Sequence, residues 1–341
     1  MHKSQGGQNQ ITAGRETQVP ALDRLAAALR TGPEPVEVLT AQPLARYTAL
    51  RIGGPADLLV TAGSVQALRK VVTQAWQLGV PYRVLGGGAN VLVSDAGLRG
   101  LVVLNRARAI TFLVGNLDGE TSSMPEVRAE SGASFSTVAQ QSVARGLAGL
   151  EWATGIPGTV GGAVVGNAGA WGSDVAAHLI EAEILEPDGT VSTWSVEQFR
   201  YAYRASLLKL GSDQALAARS GRKPVVLAAR FSLKQGDRDE LKSRVADITR
   251  RRKAAQPGGA TCGSVFKNPP GDSAGRLIEA AGLKGEQRGG AQISPVHANF
   301  IVNRGQATAS DIVALIQKAQ KEVLARFSVA LELEIELLGE W

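Results

Sequence analysis

The stretch TCGSVFKNPPG, residues 261–271, brings Ser264, Lys267 and Asn268 close together in the chain. A nucleophilic serine needs a base within hydrogen-bond reach and a third group that orients the base. The chain has only three histidines, and the residues around Ser264 lack the strand, sharp turn and helix of a G-x-S-x-G nucleophile. If Ser264 takes part in chemistry, it is therefore chemistry other than acyl transfer, and the alternative is a serine that shapes a turn.

Two glycine-rich segments could hold a ligand through their backbone. The first, VLGGGANVLVSD at residues 84–95, leads into a strand rather than a helix and lacks a P-loop lysine, so it is neither a Rossmann turn nor a P-loop. Its glycines suit either a nest of N–H groups around a diphosphate or a tight turn between strands. The second, GLEWATGIPGTVGGAVVGNAGAWG at residues 149–172, carries apolar anchors such as Ile156 and Val160 that a mobile loop would lack. We therefore expect its backbone to lie against a flat or anionic group.

Composition limits the class of protein. The chain has 341 residues, enough for about two or three domains with developed cores. Its single cysteine, Cys262, excludes a disulfide framework and a cysteine-rich metal site and is typical of a reducing compartment. No apolar run reaches the length of a membrane span, and the polar N-terminal stretch has no secretory signal pattern. We expect a cytoplasmic protein without a bound metal.

The charge balance is only mildly basic. Lys and Arg number 37 against 31 Asp and Glu, which gives a net charge of +6. The basic residues are scattered, and no arginine-aromatic patch indicates a nucleic-acid surface. The excess is compatible with anionic small molecules such as dinucleotides and nucleotide sugars, or simply with a basic surface. We expect no nucleic-acid partner.

The elements that must position these residues fall into three units after a tail and a short helix at 1–44. The unit at 45–107 has a strand at 56–60, a helix capped by Ser64 and strands at 81–85 and 90–94, in β-α-β order. The unit at 108–235 has a strand at 126–130, a helix from 135, a hairpin with its turn at 187–189, and a strand from 224. It has an α+β pattern.

The third unit covers 236–341. It contains a helix with Leu241 on its apolar face, a helix that ends at Gly282, a strand at 298–303 and a helix capped by Ser310. The last segment, VALELEIELLG, alternates strictly between apolar residues and glutamates, which predicts a strand with Glu334 on its polar face.

Several of these motifs, in collinear order, resemble the UDP-N-acetylenolpyruvoylglucosamine reductase family over about residues 45–341. They are LGGGANVLVSD, GLEWATGIPGTVGGAVVGNAGAWG, FRYAYRAS, GSVFKNP, HANFIVN and LELEIELLG. These are flavoenzymes of bacterial peptidoglycan precursor synthesis. The resemblance implies an α+β fold, with a two-part FAD-binding unit of the vanillyl-alcohol-oxidase (PCMH) type and a C-terminal α+β substrate-binding domain. The chain is more similar to the shorter branch, which lacks a tyrosine-bearing insertion.

The resemblance also implies roles for individual residues. Ser264 would donate a proton, Arg204 would bind the enolpyruvyl carboxylate, and Glu334 would be the acidic partner. Substrate contacts would come from Tyr203, Lys267 and Asn268. The residues that would hold FAD are Gly86, Gly87, Gly88, Ala89, Asn90, Val91, Gly155, Ile156, Gly158, Thr159, Gly161, Gly162 and Asn167.

The chain departs from the family pattern at two positions. Glu336 stands where relatives often have arginine, and Ala255 stands where a lysine is common. Contacts to the substrate diphosphate or to the cofactor that relatives draw from these positions have no obvious source here.

The implied reaction has two halves: NADPH reduces the flavin, and a hydride then reaches the vinyl carbon of UDP-N-acetylglucosamine enolpyruvate to give UDP-N-acetylmuramate. Arginine suits the carboxylate because its charge is permanent and its donors form a fork. A hydroxyl suits the proton donor because a carbanion accepts a proton from a weak acid, so no histidine is required. Taken singly, Arg204 reads as a surface residue on a helix-like stretch and Glu334 as a solvated carboxylate.

No His or Cys lies in or beside either glycine-rich segment, so we expect FAD to be bound non-covalently. The partners would be the UDP-sugar and NADPH, and we expect a monomer. Two alternatives are another FAD-dependent oxidoreductase on the same scaffold and a catalytically silent protein that binds nucleotide sugars. Together, Arg204, Ser264 and Glu334 argue against both.

Overall fold

A computed structural model describes residues 20–32, 34–113, 124–210 and 222–341 of the chain. Its first part is a mixed sheet in the strand order β1-β2-β5-β3, in which β2 and β3 run parallel to β5 and β1 is antiparallel to β2. The elements are α1 (20–31), β1 (Val38–Pro43), β2 (Pro55–Ala62), α2 (Val65–Gln77), β3 (Tyr82–Leu85), β4 (Val91–Val93) and β5 (Leu98–Asn105).

Helix α2 confirms the predicted helix of this part. Its N-cap is Ser64, whose hydroxyl accepts a hydrogen bond from the Ala67 N–H, and its apolar stripe is buried. Strand β1 lies upstream of residue 45, the expected start of the unit, and pairs with β2. Leu25 and Leu29 of α1 are buried in the same core. The sheet therefore draws on residues that the sequence assigned to the tail and short helix.

The second part is an antiparallel sheet in the order β12-β11-β13-β7-β6. Its core contains Phe135, whose ring contacts those of Trp152 and Phe231. The predicted hairpin is present, with Gly189 at a φ of +89° in its turn. The elements are β6 (Ile110–Leu113), β7 (Glu126–Glu130), α3 (Phe135–Ala144), β8 (Leu147–Ala148), α4 (Val160–Gly166), β9 (Gly169–Ala170), β10 (Ser173–Asp174), β11 (Leu179–Leu185), β12 (Val191–Ser195), α5 (Leu207–Leu210), β13 (Val225–Ser232) and β14 (Lys234–Gln235).

The third part packs two helices and a three-stranded sheet around its own core, which contains Phe266 and the apolar face of a long helix, α8. The elements are α6 (Arg238–Ala255), α7 (Ala274–Ala280), β15 (Gln287–Arg288), β16 (Ala291–Ile293), β17 (Ile301–Asn303), α8 (Ala309–Phe327) and β18 (Glu336–Leu338).

Two expectations for this part need correction. The N-cap of α8 is Thr308, which forms a reciprocal capping box with Asp311. Ser310 instead donates its hydroxyl hydrogen bond to Asp95. The last strand is also shorter than its alternating pattern indicates, because regular pairing is confined to β18, which runs parallel to β4. The residues before β18 form only an isolated bridge between Leu333 and Phe266.

The C-terminal part is fastened to the first part at two places. Strand β18 extends β4, and the Asp95 carboxylate just after β4 accepts the N–H groups of Ala309 and Ser310 at 2.8 and 3.0 Å. An acidic side chain at a helix N-terminus satisfies N–H groups that have no partner within the helix and interacts well with the helix dipole. These contacts bring Glu334 beside the first glycine-rich segment.

Candidate active site

One large cavity of about 740 Å³ lies where the three parts meet. Both glycine-rich segments line it, and so do Arg204, Ser264 and Glu334, which are far apart in the sequence. We call the two glycine-rich surfaces the glycine wall, and the surface formed by Arg204, Ser264 and Glu334 the charged wall. The predicted cofactor residues that line the cavity are Gly86, Gly87, Gly88, Ala89, Asn90, Val91, Gly155, Ile156, Gly158, Thr159, Gly161 and Gly162.

The first glycine segment is packed tightly against protein backbone. Gly88 has a φ of +60°, and a Cβ there would lie 2.2 Å from the carbonyl oxygen of Tyr47. A Cβ on Gly87 would lie 3.0 Å from the Cα of Gly158. The two glycine segments thus touch each other, and Gly88 is required by the turn itself. The tight-turn interpretation therefore holds, and because the turn also lines the cavity, the nest of N–H groups around a diphosphate stays a prediction.

The second glycine segment leaves free space along the cavity. A Cβ on Gly166 would meet no protein atom within 4 Å, and one on Gly158 or Gly162 would find its nearest neighbour only at 3.7 Å. All three residues line the cavity. The φ of +113° at Gly158 itself favours glycine, whereas the fold does not need Gly162 or Gly166 to lack a side chain. The open space at these two positions suits a ligand that lies close to the backbone.

Arg204 lies in a tight turn rather than on a helix. Ala202 and Ala205 exchange backbone hydrogen bonds on either side of it, and Arg204 itself has a φ of +57°. Its Nε donates to Oε1 of Glu334 at 2.8 Å and its Nη2 donates to the carbonyl oxygen of Gly169 at 2.6 Å. The guanidinium is thereby aimed at the cavity with two of its donors fixed.

Glu334 is the meeting point of all three parts of the molecule. Its backbone carbonyl accepts hydrogen bonds from Nδ2 of Asn90 at 3.1 Å and from Nζ of Lys209 at 3.2 Å, while its side chain pairs with Arg204. Burial raises the pKa of the Glu334 carboxyl, and the charges of Arg204, Lys209 and Lys267 act in the opposite direction. Burial lowers the pKa of the Lys209 ammonium group, and the nearby carboxylates of Glu336 and Glu334 act in the opposite direction.

Ser264 follows Gly263, which has a φ of +82°, and forms a backbone bridge with Phe300. Among the described residues its hydroxyl has no hydrogen-bond partner, and neither His178 nor His297 lines the cavity. The hydroxyl therefore has no neighbouring base that would make it a nucleophile. It is available to give a proton to a bound molecule.

Four of the predicted site residues are not part of the cavity wall. Tyr203 is 52% exposed, and its ring lies 5.3 Å from the guanidinium carbon of Arg204. Lys267 pairs with Glu332 at 3.2 Å, and Asn268 accepts a hydrogen bond from the Ala274 N–H at 3.1 Å. Asn167 is buried behind the cavity, with its amide bonded to other parts of the protein. These four residues therefore lie outside the cavity lining, and their contacts with a ligand stay predictions.

Sequence reasoning missed four cationic residues that line the cavity: Arg83, Lys209, Lys223 and Arg252. Lys209 stands alone in the apolar run LLKL, a pattern that could have indicated a partly buried charge. Arg252 belongs to the run RRRK on α6, which gives no sign of which cation turns inward. Its side chain lies against Gly155, and burial lowers the pKa of its guanidinium. Glu336, noted as a departure from the family pattern, also lines the cavity.

Within the described ranges, no group of His, Cys, Asp and Glu side chains could hold a metal ion. None of the helices described is both long enough and apolar enough to cross a membrane.

Comparison with known proteins gives one consistent result. Residues 56–195 match a family model described as an FAD binding domain, and residues 255–338 match the C-terminal domain of UDP-N-acetylenolpyruvoylglucosamine reductase. The reductase of Chloroflexus aggregans is 43% identical over 305 residues, covering 89% of this chain and 98% of the relative. That of Rubrobacter xylanophilus is 46% identical over 300 residues, covering 88% and 94%. The crystal structure of the Thermus caldophilus reductase superposes with a TM-score of 0.71 at 36% identity, covering 89% of this chain and 99% of that one.

Proposed function

The chain belongs to the UDP-N-acetylenolpyruvoylglucosamine reductase family and is an FAD-dependent oxidoreductase, and we propose that its cavity converts UDP-N-acetylglucosamine enolpyruvate to UDP-N-acetylmuramate with NADPH as the reductant. This is a step of peptidoglycan precursor synthesis. The observation that supports it most strongly is the charged wall, where an arginine, a serine without a base and a partly buried glutamate face the cavity.

The residues of the glycine wall fit FAD. Gly158, Gly162 and Gly166 leave open backbone surface of the kind that a planar ring or a diphosphate needs, and Gly86–Gly88 supply a tight turn beside it. When bound, FAD accepts a hydride from NADPH and delivers it to the enolpyruvyl double bond. The protein's part is to hold both molecules and to manage charge and protons around them.

Arg204 is proposed to bind the carboxylate of the enolpyruvyl group. Negative charge grows next to this carboxylate as the double bond is reduced, and a fixed guanidinium stabilises such charge without reorganising. The bond between Nη2 and Gly169 and the ion pair with Glu334 hold the guanidinium in place before the substrate arrives. One such donor is commonly worth about 3–4 kcal/mol of barrier height.

Ser264 is proposed to donate the proton that completes the reduction at carbon. Its hydroxyl lines the cavity and has no base among the described residues that would remove its proton. Glu334 lies in the same wall, and because burial raises the pKa of its carboxyl, its protonated form persists to higher pH than that of an exposed glutamate. The charged wall thus combines a weak acid with a carboxyl whose pKa is lowered by three nearby cations and raised by burial.

Non-covalent binding of FAD stays a prediction, and the fold adds one residue that bears on it. Cys262, which is distant in sequence from both glycine segments, reaches the cavity wall. Burial raises the pKa of its thiol to about 12, so it stays protonated at neutral pH and is a poor nucleophile.

Several features are proposed without a direct test. They are the division at residues 45, 108 and 236, the location in the cytoplasm and the monomeric state. Substrate contacts from Tyr203, Lys267 and Asn268 also stay predictions. Because Lys209 and Arg252 line the cavity, these two cations are further candidates for binding the anionic substrate.

The proposal is tested with the purified full chain. Its flavin spectrum should be bleached by NADPH under anaerobic conditions and should recover when UDP-N-acetylglucosamine enolpyruvate is added, with UDP-N-acetylmuramate as the product. Bleaching without recovery would assign the chain to another FAD-dependent oxidoreduction. A protein without a flavin spectrum that still binds the UDP-sugar would be the catalytically silent alternative.

A further inference from the structure

Arg204 occupies a backbone conformation that needs support. A φ of +57° is uncommon for a residue with a side chain and costs on the order of 1 kcal/mol or more. The turn is closed only by the two backbone bonds between Ala202 and Ala205. Such a turn keeps its shape when the surrounding structure fixes it on both sides.

Two hydroxyl groups fix this turn to the C-terminal end of α4. The hydroxyl of Tyr201 donates to the carbonyl oxygen of Val164 at 2.9 Å, and that of Ser206 donates to the carbonyl oxygen of Val165 at 2.6 Å. The last carbonyl groups of a helix lack partners within the helix. Tyr201 and Ser206 donate to two of them from the two sides of Arg204, and the Val164 carbonyl also accepts the Asn167 N–H at 3.5 Å.

Asn167 makes the third connection. It follows α4 directly, is 3% exposed, and donates from Nδ2 to the carbonyl oxygen of Ala202 at 3.1 Å. The same amide donates to Asp174 at 3.2 Å and accepts from the Ala176 N–H at 3.1 Å. Asn167 therefore ties the turn to the short hairpin formed by β9 and β10.

That hairpin carries the second support of the guanidinium. Gly169 in β9 offers the carbonyl oxygen that accepts the Nη2 bond of Arg204, and Asp174, the Asn167 partner, lies opposite it in β10. At its other end, α4 begins at Val160 within the glycine wall. The helix thus links the surface proposed for the cofactor to the backbone and the side chain of Arg204.

We propose that Tyr201, Asn167 and Ser206, here called the arginine clasp, are positioning residues that set the guanidinium of Arg204 relative to the glycine wall. None of the three lines the cavity, so they act through Arg204 rather than on the substrate. The part of the proposal that concerns catalysis rests on the proposed function. The clasp also changes the role of Asn167, which the family resemblance assigned to FAD.

Ser206→Ala tests the clasp against a matched control, Ser142→Ala. Both serines are fully buried, and both donate their hydroxyl to a backbone carbonyl, Ser142 to that of Val138 at 2.9 Å within α3. The Ser206 hydroxyl also accepts the Lys209 N–H at 3.3 Å, so Tyr201→Phe, which leaves that bond intact, must show the same loss. Because a misplacement of about 1 Å can cost about 100-fold in rate, we expect Ser206→Ala to slow reoxidation by the enolpyruvyl substrate by about 10- to 100-fold. Flavin reduction by NADPH and the rates of Ser142→Ala should stay within about twofold of the wild type.

A second readout does not depend on activity. Arginine-selective ¹⁵N labelling should show the Nε–H signal of Arg204, assigned by its loss in Arg204→Lys, and bonding to Glu334 should shift it from those of exposed arginines. In Ser206→Ala and in Tyr201→Phe, which preserves the shape of the ring, this signal should move toward the exposed position or broaden. Ser142→Ala should leave it in place.

The outcomes separate the two proposals. An unchanged Arg204 signal in both clasp variants would overturn the clasp, whatever their melting temperatures, and so would a loss of rate equal in the two half-reactions. If the wild-type flavin is not reoxidised by the enolpyruvyl substrate, the proposed function fails, while the comparison of Arg204 signals still decides whether the clasp positions the guanidinium.

Discussion

The glycine wall and the charged wall face the same cavity but are built in opposite ways. The glycine wall consists of backbone from two segments that are each continuous in sequence. The charged wall consists of three side chains separated by tens of residues, held by bonds such as those from Arg204 and Asn90 to Glu334. The glycine wall depends on the absence of side chains, and the charged wall depends on the hydrogen-bond and ion-pair partners of its side chains. A local surface can be recognised in sequence, whereas an assembled one depends on the whole fold.

The largest effect is expected in the charged wall. Ser264→Ala should slow reoxidation of the flavin by the enolpyruvyl substrate by roughly 100- to 10,000-fold, the range typical of a positioned general acid, because it removes the proposed proton donor. The NADPH half-reaction should stay near the wild-type rate, since no proton from Ser264 is needed there. Stopped-flow absorbance measures both halves. Equal losses in the two would show that the serine is structural.

The glycine wall is tested by adding a side chain rather than by removing one. We expect an added methyl group to change the stability of the protein differently in the two glycine segments. In Gly88→Ala the new Cβ would clash with the Tyr47 carbonyl and would have to adopt a positive φ, so the free energy of unfolding should fall by about 1–3 kcal/mol. In Gly166→Ala the Cβ meets no protein atom and helix propensity improves, so stability should hold or rise by up to about 1 kcal/mol.

The same pair separates needs of the protein from needs of the ligand. Gly166→Ala should bind FAD more weakly despite its unimpaired stability, because the methyl group enters the space along the cavity. Chemical denaturation gives the stability, and flavin fluorescence during titration of the apoprotein gives the affinity. If Gly166→Ala binds FAD as the wild type does, the free space beside α4 is not used by the cofactor.

The smallest effect concerns the tuning of Glu334. Its carboxyl faces Arg204, Lys209, Lys267 and the thiol of Cys262, and the three cations lower a pKa that burial raises. Lys209→Met removes one of the cations that lower the pKa of Glu334. The effect of burial is then less compensated, so this pKa should rise further. Any limb of the pH profile for reoxidation that Glu334 controls should then move to higher pH, on the order of one pH unit.

The control for this shift is Lys242→Met, which removes an equal charge from an exposed ion pair with Asp239 on α6. Its profile should overlay that of the wild type, and Glu334→Gln should abolish the limb altogether. A Lys209→Met profile that moves to lower pH would contradict the assignment of Lys209 as a counter-charge for Glu334.

Much of the local structure could be predicted from the sequence because its signals are short-range. Helix α2 and its Ser64 cap are confirmed, and helix α8 is present with a buried apolar stripe. Errors arose where a partner from elsewhere competed with the local signal. Ser310 resembles a cap but donates to Asp95 from another part of the chain, and Thr308 takes its place.

The same distinction applies to the site. The family motifs pointed to Arg204, Ser264 and Glu334, and all three line the cavity. The motif residues Tyr203, Lys267, Asn268 and Asn167 do not line it. The last three are instead bonded to other protein groups, which a motif does not reveal.

By itself, the sequence determined the family, the glycine wall and the types of residue available for chemistry, because these are encoded in contiguous motifs and in composition. Only the tertiary structure decided that Lys209 and Arg252 join the cavity, that Glu334 sits between Asn90 and Arg204, and that a turn clasped to α4 aims the arginine. The physical reason is that a charge or a hydroxyl acquires its role from the burial and the partners around it, and those come from segments that the chain brings together only when it folds.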